Sequence, residues 1–309
     1  MRIAHLSDPH VIDWSETRWR QFVGKRLTGG LNFVLNRRKV HRLEVLEAIL
    51  EDVARNAPDH IAVTGDISSL AFPYELRRFG DLLDRLGLEP TMVSVIPGNH
   101  DAYTRHAWVK RRTLAELGRF ATCDLSGGMP RFPFVRLRGP IAIIGLDSAV
   151  ARPWFVASGA VGHEQLDTLE SLLDARDVRE RFPVVLVHHP PISYPSWFKE
   201  LHAGLMDREH LLEVLRRGLA GSDGLVLSGH WHDRHRTQLD LPGHVELLVA
   251  PSASHFGGPP SRLAAYHLID LEETEEGGIK LDSVRARGYD PEAGEVIDLE
   301  EMAPARPPR

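Results

Sequence analysis

Five short polar clusters, each directly after an apolar run, carry the residue types that bind metal ions. Their donors are carboxylate, amide and imidazole groups without a thiolate, which suits manganese, iron, zinc, cobalt or nickel better than a closed structural zinc site. Two divalent ions about 3.5–4 Å apart are suited to attack on phosphorus. The sequence therefore predicts a two-metal centre that hydrolyses a phosphoester. In chain order the clusters are Asp8-Pro9-His10, Gly65-Asp66, Gly98-Asn99-His100-Asp101, His188-His189 and Gly229-His230-Trp231-His232.

The spacing within these clusters also favours a shared site. Two cations at short distance repel each other, so an anionic group must lie between them, and Asp66 stands midway in the order of clusters. Alternate residues of an extended chain project to one side, so Asp8 and His10 can face one site, as can His230 and His232. Any one cluster alone could be a capping aspartate or a loop histidine. The conjunction of all five favours metal binding.

The apolar segments before the clusters have the length and composition of buried strands, and helical periodicity lies between them. This alternation predicts an α/β fold with sheets between helical layers. The clusters then lie beyond the carboxyl ends of strands, where ligand sites gather in such folds. The predicted strands are 3–7, 61–64, 92–96, 141–146, 184–187, 225–228 and 245–250, with a hairpin of 263–270 and 279–285. The predicted helices are 39–56, 163–175 and a third from 207 to 218 or 221.

Composition excludes some classes of protein and favours others. The chain has 309 residues, 42% of them hydrophobic, which is enough for a large core. The formal charge of −6 gives no overall attraction to nucleic acid, and none is predicted as a partner. Cys123 is the single cysteine, so no internal disulfide is expected. The N-terminal residues lack the pattern of a signal peptide, and no apolar stretch reaches about 18 residues, so a cytoplasmic protein is expected.

The helical and strand periodicity continues along most of the chain without a break, which predicts one catalytic domain. No repeat and no low-complexity linker divides its body. Helical and strand periodicity fades from about residue 288, and the last residues are rich in proline and arginine. The sequence therefore predicts a catalytic domain over residues 1–287 and an acidic, then proline- and arginine-rich tail over residues 288–309.

The order and form of these clusters resemble the calcineurin-like metallophosphoesterase superfamily. The resemblance rests on Asp-x-His, Gly-Asp, Gly-Asn-His-Asp, a later His and Gly-His-x-His, and it spans residues 8–232. In motif form it is closest to the class III cyclic-nucleotide phosphodiesterase-like branch. It implies a four-layer α/β/β/α sandwich, in which two packed mixed β-sheets are flanked by helices. It also implies two divalent metal ions, manganese, iron or zinc, one held by Asp8, His10, Asp66 and His232, the other by Asp66, Asn99, His188 and His230.

The same resemblance implies roles for the neighbouring residues. His188 is the expected ligand of its pair because relatives often carry His-x-Pro-Pro there. His189 is expected on the substrate side, with the role of ligand in place of His188 as the alternative. Asp66 and His100 are the expected catalytic residues: His100 would stabilise charge on the phosphoryl oxygens and help protonate the leaving alkoxide. Asp101 either orients His100 or caps a turn. The expected reaction is in-line attack of a metal-bridging hydroxide on the phosphorus. A non-catalytic metal-binding scaffold is the alternative, and the presence of His100 favours the enzyme.

The expected substrate is a small-molecule phosphodiester. Gly65-Asp66 continues into Ile67-Ser68-Ser69 and not into the Asp-Arg-Gly run typical of the protein phosphatase branch.

The segment of residues 17–43 has eight basic residues and no acidic one, interleaved with aromatic side chains, and includes Arg37 and Arg38 as candidate substrate-binding residues. Together with the aromatic residues 194–198, it suggests a surface for anionic lipid. This favours an alternative function: a peripheral hydrolase at the inner face of the membrane that cleaves a lipid-linked pyrophosphate or phosphodiester. The UDP-diacylglucosamine diphosphatases of the same superfamily act on substrates of this kind. An ordinary basic connector is the simpler interpretation.

Overall fold

The computed structural model describes residues 1–12 and 40–300 of the chain. The strands are β1 (Arg2–Leu6), β2 (His60–Val63), β3 (Val93–Val95), β4 (Phe134–Arg138), β5 (Ile141–Gly145), β6 (Phe182–Leu186), β7 (Gly224–Ser228), β8 (His235–Gln238), β9 (Val245–Val249), β10 (Ala265–Glu273), β11 (Ile279–Asp290) and β12 (Glu295–Leu299). The helices are α1 (Leu43–Arg55), α2 (Pro73–Asp84), α3 (Arg105–Val109), α4 (Arg112–Leu117), α5 (His163–Asp174), α6 (Arg176–Arg179), α7 (Trp197–Ala203) and α8 (Arg208–Gly218). Short 3₁₀ turns span Pro90–Met92, Gly118–Phe120, Asp124–Ser126 and Pro260–Arg262.

The strands form two six-stranded mixed sheets. The first has the order β12-β11-β10-β1-β2-β3, and the second has the order β4-β5-β6-β7-β9-β8. In the first sheet β1, β2 and β3 are parallel, and in the second β5, β6, β7 and β9 are parallel. The remaining pairs are antiparallel. The parallel strands of each sheet therefore direct several carboxyl ends to one side.

Alternation along the strands divides the apolar residues between two cores. Ile3 and Ala62 belong to a core shared with the second sheet, whereas Leu6 and Val63 belong to one shared with α1 and α2. Helices α5 and α8 add their apolar faces to the second sheet. Each fully buried Val, Leu or Ile side chain stabilises the fold by about 1.5–3 kcal/mol. The predicted layering, two packed mixed sheets flanked by helices, is confirmed.

Every strand predicted from the sequence is present, with ends within three residues of the prediction except for β11, which continues five residues further to Asp290, and three strands were missed. The missed strands are β4, β8 and β12. The helix predicted from residue 39 begins at Leu43, and the helices α2, α3, α4, α6 and α7 were missed.

The predicted tail boundary at residue 288 is corrected by the first sheet. Strand β11 continues to Asp290, and β12 pairs with it antiparallel, so residues 288–299 belong to the sheet. Only Val296 of β12 is buried, so this edge strand lacks the alternating pattern that reveals a strand. Residues 301–309 and most of the basic segment, including Arg37 and Arg38, lie outside the described residues.

Within residues 1–12 and 40–300, no helix combines the length and the apolar character needed to cross a bilayer.

Candidate metal centre

The loops after five parallel strands bring the polar clusters together. Asp8 and His10 follow β1, Asp66 follows β2, and Asn99 follows β3 of the first sheet. The remaining clusters, which contain His188 and the pair His230 and His232, follow β6 and β7 of the second sheet. Backbone hydrogen bonds join these loops: the Asp8 amide donates to Gly65 O at 3.0 Å, and the Gly229 amide donates to His188 O at 3.1 Å. The joint edge of both sheets therefore holds all five clusters.

The backbone of this site is strained at its polar residues. Five of them have left-handed φ values although none is glycine. Such residues persist only where the surrounding structure enforces them, and they cluster at functional sites. These residues are Asp8 (φ 51°), His10 (43°), Asp66 (51°), His230 (68°) and His232 (54°).

Glycine precedes the donors because the loops pack too closely for a side chain. A Cβ at Gly98 would lie 2.2 Å from Asp66 Oδ1, and one at Gly229 would lie 1.8 Å from Ser7 Oγ. Both contacts are far shorter than any real Cβ contact. The glycines of the third and fifth clusters are therefore required for the loops to meet.

The first group of donors consists of Asp8, His10, Asp66 and His232, whose candidate ligand atoms all lie within 4.8 Å of one another. His10 Nε2 lies 3.0 Å from His232 Nε2, and His232 Nε2 lies 3.0 Å from Asp8 Oδ1. Asp8 is buried, and its Oδ1 has no hydrogen-bond partner among the residues that the structure describes. Buried carboxylate and imidazole atoms that converge in this way fit a cation between them.

The second group lies on the other side of Asp66. His188 Nε2 is 3.5 Å from Asp66 Oδ1 and 3.2 Å from Asn99 Oδ1. The ring of His230 lies 5.2 Å from that of His188, centroid to centroid. Asp66 Oδ2 faces the first group, at 3.8 Å from His10 Nε2. One carboxylate thus contacts both groups through different oxygens.

Backbone carbonyls fix the tautomers of the second group. His188 Nδ1 donates to Thr64 O at 2.6 Å, and His230 Nε2 donates to Ala203 O at 2.9 Å. The lone pairs are then on His188 Nε2 and His230 Nδ1. Metal-binding histidines usually donate their other N–H to such a partner.

Burial keeps these groups in the protonation states that a metal requires. It lowers the pKa of His188, and it lowers the pKa of His230 to about 3, so both rings are neutral at pH 7. For Asp8 burial acts to raise the pKa, but His232, His188 and a hydrogen bond from Ser7 outweigh it and lower the pKa overall. Asp8 is therefore an anion at pH 7.

His189 lies beside the second group of donors. It is fully buried, its Nδ1 contacts Ser148 Oγ at 2.8 Å, and its Nε2 donates to Ala157 O at 2.9 Å. Its ring packs at 4.9 Å from that of His188 and 4.5 Å from that of His230. This placement puts His189 behind the two rings, and its possible ligand atom lies within 4.8 Å of those of His188 and His230. Its predicted contact with substrate stays a prediction.

His100 lies beside the first group with a fixed ring. Its Nδ1 donates to Ser69 O at 2.8 Å, and its amide donates to Asp66 Oδ1 at 2.7 Å. The ring meets His10 edge-on at 4.9 Å and stacks on Tyr103 at 5.7 Å. The neutral ring therefore carries its lone pair on Nε2.

Asp101 caps two loops and does not orient His100. Its carboxylate accepts the amides of Gly98 at 2.9 Å, Ile67 at 3.1 Å and Ser68 at 2.8 Å, and also the Ser68 hydroxyl at 2.8 Å. Of the two roles considered for Asp101, the geometry supports capping. These bonds join the loop that carries Asp66 to the loop that carries Asn99.

Sequence reasoning missed one histidine at the site. His41 is buried, and its ring lies 4.5 Å from the ring of His10. It belongs to none of the five clusters, and no local signal in the sequence marks it.

Two packed mixed sheets with an Asp, His and Asn cluster at their joint carboxyl edge define a metal-dependent phosphoester hydrolase. The chain belongs to the calcineurin-like phosphoesterase family, whose model matches residues 1–234.

Two similar proteins are described as probable cyclic nucleotide phosphodiesterases. A probable cyclic nucleotide phosphodiesterase of Synechococcus sp. (strain WH7803) is 25% identical over 304 residues, which cover 97% of this chain and 92% of that protein. A second protein of that description, from Synechococcus sp. (strain ATCC 27144), is 27% identical over 226 residues, covering 73% of this chain and 76% of its own.

Two solved structures share the fold. A dimetal phosphatase from Danio rerio has a TM-score of 0.58 and 14% identity, covering 96% of this chain and 98% of that one. Purple acid phosphatase PPD1 from yellow lupin has a TM-score of 0.56 and 12% identity, covering 96% of this chain and 52% of that one.

Proposed function

We propose that this protein is a phosphodiesterase that works with two divalent metal ions. The observation that carries the proposal is the position of Asp66, whose Oδ2 faces His10 and whose Oδ1 faces His188. One ion would be held by Asp8, His10, Asp66 and His232, and the other by Asp66, Asn99, His188 and His230. The oxygen and imidazole donors fit manganese, iron or zinc.

The chemistry follows from these donors and from His100. When bound, the two ions would polarise the phosphoryl oxygens and lower the pKa of a water molecule, so no strong protein base is needed. The loops joined by Asp101 hold Asp66 and Asn99 in fixed relation, which orients the phosphate. His100, protonated at Nε2, would donate a hydrogen bond to a phosphoryl oxygen and a proton to the leaving group.

The relatives support a phosphodiester as substrate. Both Synechococcus proteins are described as probable cyclic nucleotide phosphodiesterases, and one aligns over 97% of this chain. A cyclic nucleotide is therefore the first substrate to test, followed by other small phosphodiesters.

The purified full chain loaded with Mn²⁺ is expected to hydrolyse bis(4-nitrophenyl) phosphate, to bind two ions per chain and to lose its activity in a chelator. The reason is that three donors on each side of Asp66, together with Asp66 itself, form an open site for an ion. Turnover is measured by nitrophenolate release and metal content by elemental analysis. A panel of cyclic nucleotides, glycerophosphodiesters, nucleotide-sugar pyrophosphates and monoesters identifies the substrate class. Two bound ions without turnover of any of these compounds would identify a metal-binding scaffold instead.

A second candidate is a peripheral hydrolase of a lipid-linked pyrophosphate or phosphodiester, and an exposed apolar surface favours it. Phe155 is 90% exposed and Trp197 is 77% exposed. The two segments of this surface pair through their backbones, since the Ala157 amide donates to His202 O at 2.7 Å. The surface adjoins the site, because Ala203 O accepts from His230. Its other exposed members are Trp154, Phe198, Leu201 and Met206.

If this surface enters a bilayer, the double variant Trp197→Ser and Phe198→Ser is expected to bind vesicles of phosphatidylcholine and phosphatidylglycerol at least about 10-fold more weakly, since each large apolar side chain contributes about 1.5–3 kcal/mol on burial. Co-sedimentation at moderate salt measures the bound fraction. Met129→Ser is the matched control, because Met129 is also exposed but lies outside the surface. Absence of vesicle binding by the unaltered protein removes this candidate.

A further inference from the structure

His41 lies against the first group of donors, although none of the sequence clusters contains it. Its ring is tilted by 57° to that of His10 at 4.5 Å and meets that of His232 edge-on at 5.8 Å. The candidate ligand atoms of His10, His41 and His232 all lie within 4.8 Å of one another. Only 7% of His41 is exposed. The residue is therefore inside the site and not at its rim.

Main-chain hydrogen bonds hold His41 in this position. The Arg42 amide donates to Ser254 O at 3.0 Å, and the Phe256 amide donates to Val40 O at 2.6 Å. His41 and His255 form an antiparallel bridge between these bonds. The guanidinium of Arg42 also lies over the ring of Phe256, at 3.5 Å from its centroid. The position of the ring is thus fixed by the loop that follows β9.

Two serine hydroxyls contact Nδ1 of His41. Its Nδ1 lies 2.9 Å from Ser254 Oγ and 3.3 Å from Ser252 Oγ. Ser252 has one hydroxyl proton and donates it to Asp8 O at 2.6 Å, so it can only accept from His41. In the tautomer that donates Nδ1–H to these hydroxyls, the ring carries its lone pair on Nε2. Histidines 188 and 230 are held in the same way, with one nitrogen donating to the protein and the other bearing a lone pair.

Two other buried histidines near this sheet also pair one ring nitrogen with a hydroxyl but do not face the donors. His5 Nε2 pairs with Thr64 Oγ1 at 3.0 Å, and His60 Nε2 pairs with Ser94 Oγ at 2.9 Å. Over the described part of the chain, neither belongs to a cluster of possible ligand atoms, whereas His41 does. Burial alone therefore does not account for the position of His41.

We infer that His41 is a fifth protein ligand of the ion held by Asp8, His10, Asp66 and His232. The inference rests on the proposed function, because it assigns a donor to one of the two proposed ions. Two nitrogens that bind one ion at about 2.1 Å each can lie up to about 4.2 Å apart. The candidate ligand atom of His41 lies within 4.8 Å of those of His10 and His232. His41 is not in the group that contains Asp8 and Asp66, so its ring must move toward these carboxylates when the ion binds. Five protein donors favour an ion that accepts six ligands, such as manganese or iron, over four-coordinate zinc.

The test measures metal binding by the full chain, not turnover. The metal-free protein is titrated with Mn²⁺ in a calorimeter and with Co²⁺ in a spectrophotometer, and His41→Ala is compared with the unaltered chain. We expect His41→Ala to lower the affinity for one of the two ions by about 10- to 100-fold, which is the scale found when support for a metal site is removed. The affinity for the other ion should be nearly unchanged. The visible Co²⁺ spectrum should change for that ion alone, because the number of its ligands changes. His255→Ala, from the same bridged pair, should match the unaltered chain.

Two further comparisons keep the result decisive. If thermal melting shows that His41→Ala is unfolded, Ser254→Ala replaces it, since this variant keeps the ring and removes a hydroxyl that holds it. We then expect the affinity for the same ion to fall by about 10-fold. Unchanged affinities and an unchanged Co²⁺ spectrum in the folded variant overturn the inference and leave the two-metal proposal intact. Failure of the unaltered chain to bind two ions overturns the proposed function itself.

Discussion

Replacing Asp66 with asparagine is expected to lower kcat/KM toward a phosphodiester by at least about 10³-fold, which corresponds to about 4 kcal/mol of transition-state stabilisation. The two side chains have nearly the same shape, so the asparagine amide oxygen could still accept the hydrogen bond that the His100 amide now donates to Asp66 Oδ1 at 2.7 Å. What is lost is the negative charge between the two groups of donors. Two cations at about 3.5–4 Å repel strongly without it.

Metal content separates this effect from damage to the fold. The Asp66→Asn protein should melt near the temperature of the unaltered chain and bind fewer than two ions. Asp81→Asn is the matched control, because Asp81 lies on the exposed face of helix α2. An Asp66→Asn variant that keeps two ions and loses less than about 10-fold in kcat/KM would show that Asp66 does not bridge them.

The sequence predicts the site better than it predicts the sheet edges, for a physical reason. Buried parallel strands are short runs rich in β-branched residues, and the candidate ligands follow them directly. Each feature therefore helps to locate the other in the sequence. Strand β4 breaks that pattern because it contains Arg136, which is fully buried. Its guanidinium donates to Pro90 O at 2.9 Å, Arg119 O at 3.0 Å and Thr122 Oγ1 at 2.9 Å. These acceptors come from other parts of the chain, and no local pattern reveals them.

Helix α2 carried a signal that could have been used. Pro73 stands at its first turn, and the Glu75 carboxylate accepts the Phe72 amide at 3.0 Å, as a residue three places into a helix often does. The apolar residues Leu76, Phe79 and Leu83 follow with helical spacing and are buried. The helix was therefore predictable, whereas β4 was not.

Two histidines show the limits of motif reasoning at the site. His189 follows His188 in the chain, and adjacent residues of extended backbone point to opposite sides, so its position behind the ligand rings agrees with strand geometry. His41 reaches the site through backbone pairing with residues 254–256, far along the chain. A contact of this kind depends on tertiary structure, because nothing near His41 in the sequence distinguishes it from an ordinary loop histidine.

His100→Ala is expected to lower kcat by about 10²- to 10⁴-fold, the usual contribution of a general acid, while both ions remain bound. The hydrogen bond from Nδ1 to Ser69 O directs the acidic N–H of the protonated ring to Nε2. If that proton goes to the leaving group, the loss should be larger for an alkyl phosphodiester, whose alkoxide needs the proton, than for a nitrophenyl ester, whose leaving group does not. Paired measurements on these two substrates test this, with His163→Ala as a control at the exposed start of helix α5. Equal losses on both substrates would instead assign His100 to stabilising charge on the phosphoryl oxygens, because that charge develops whichever group departs.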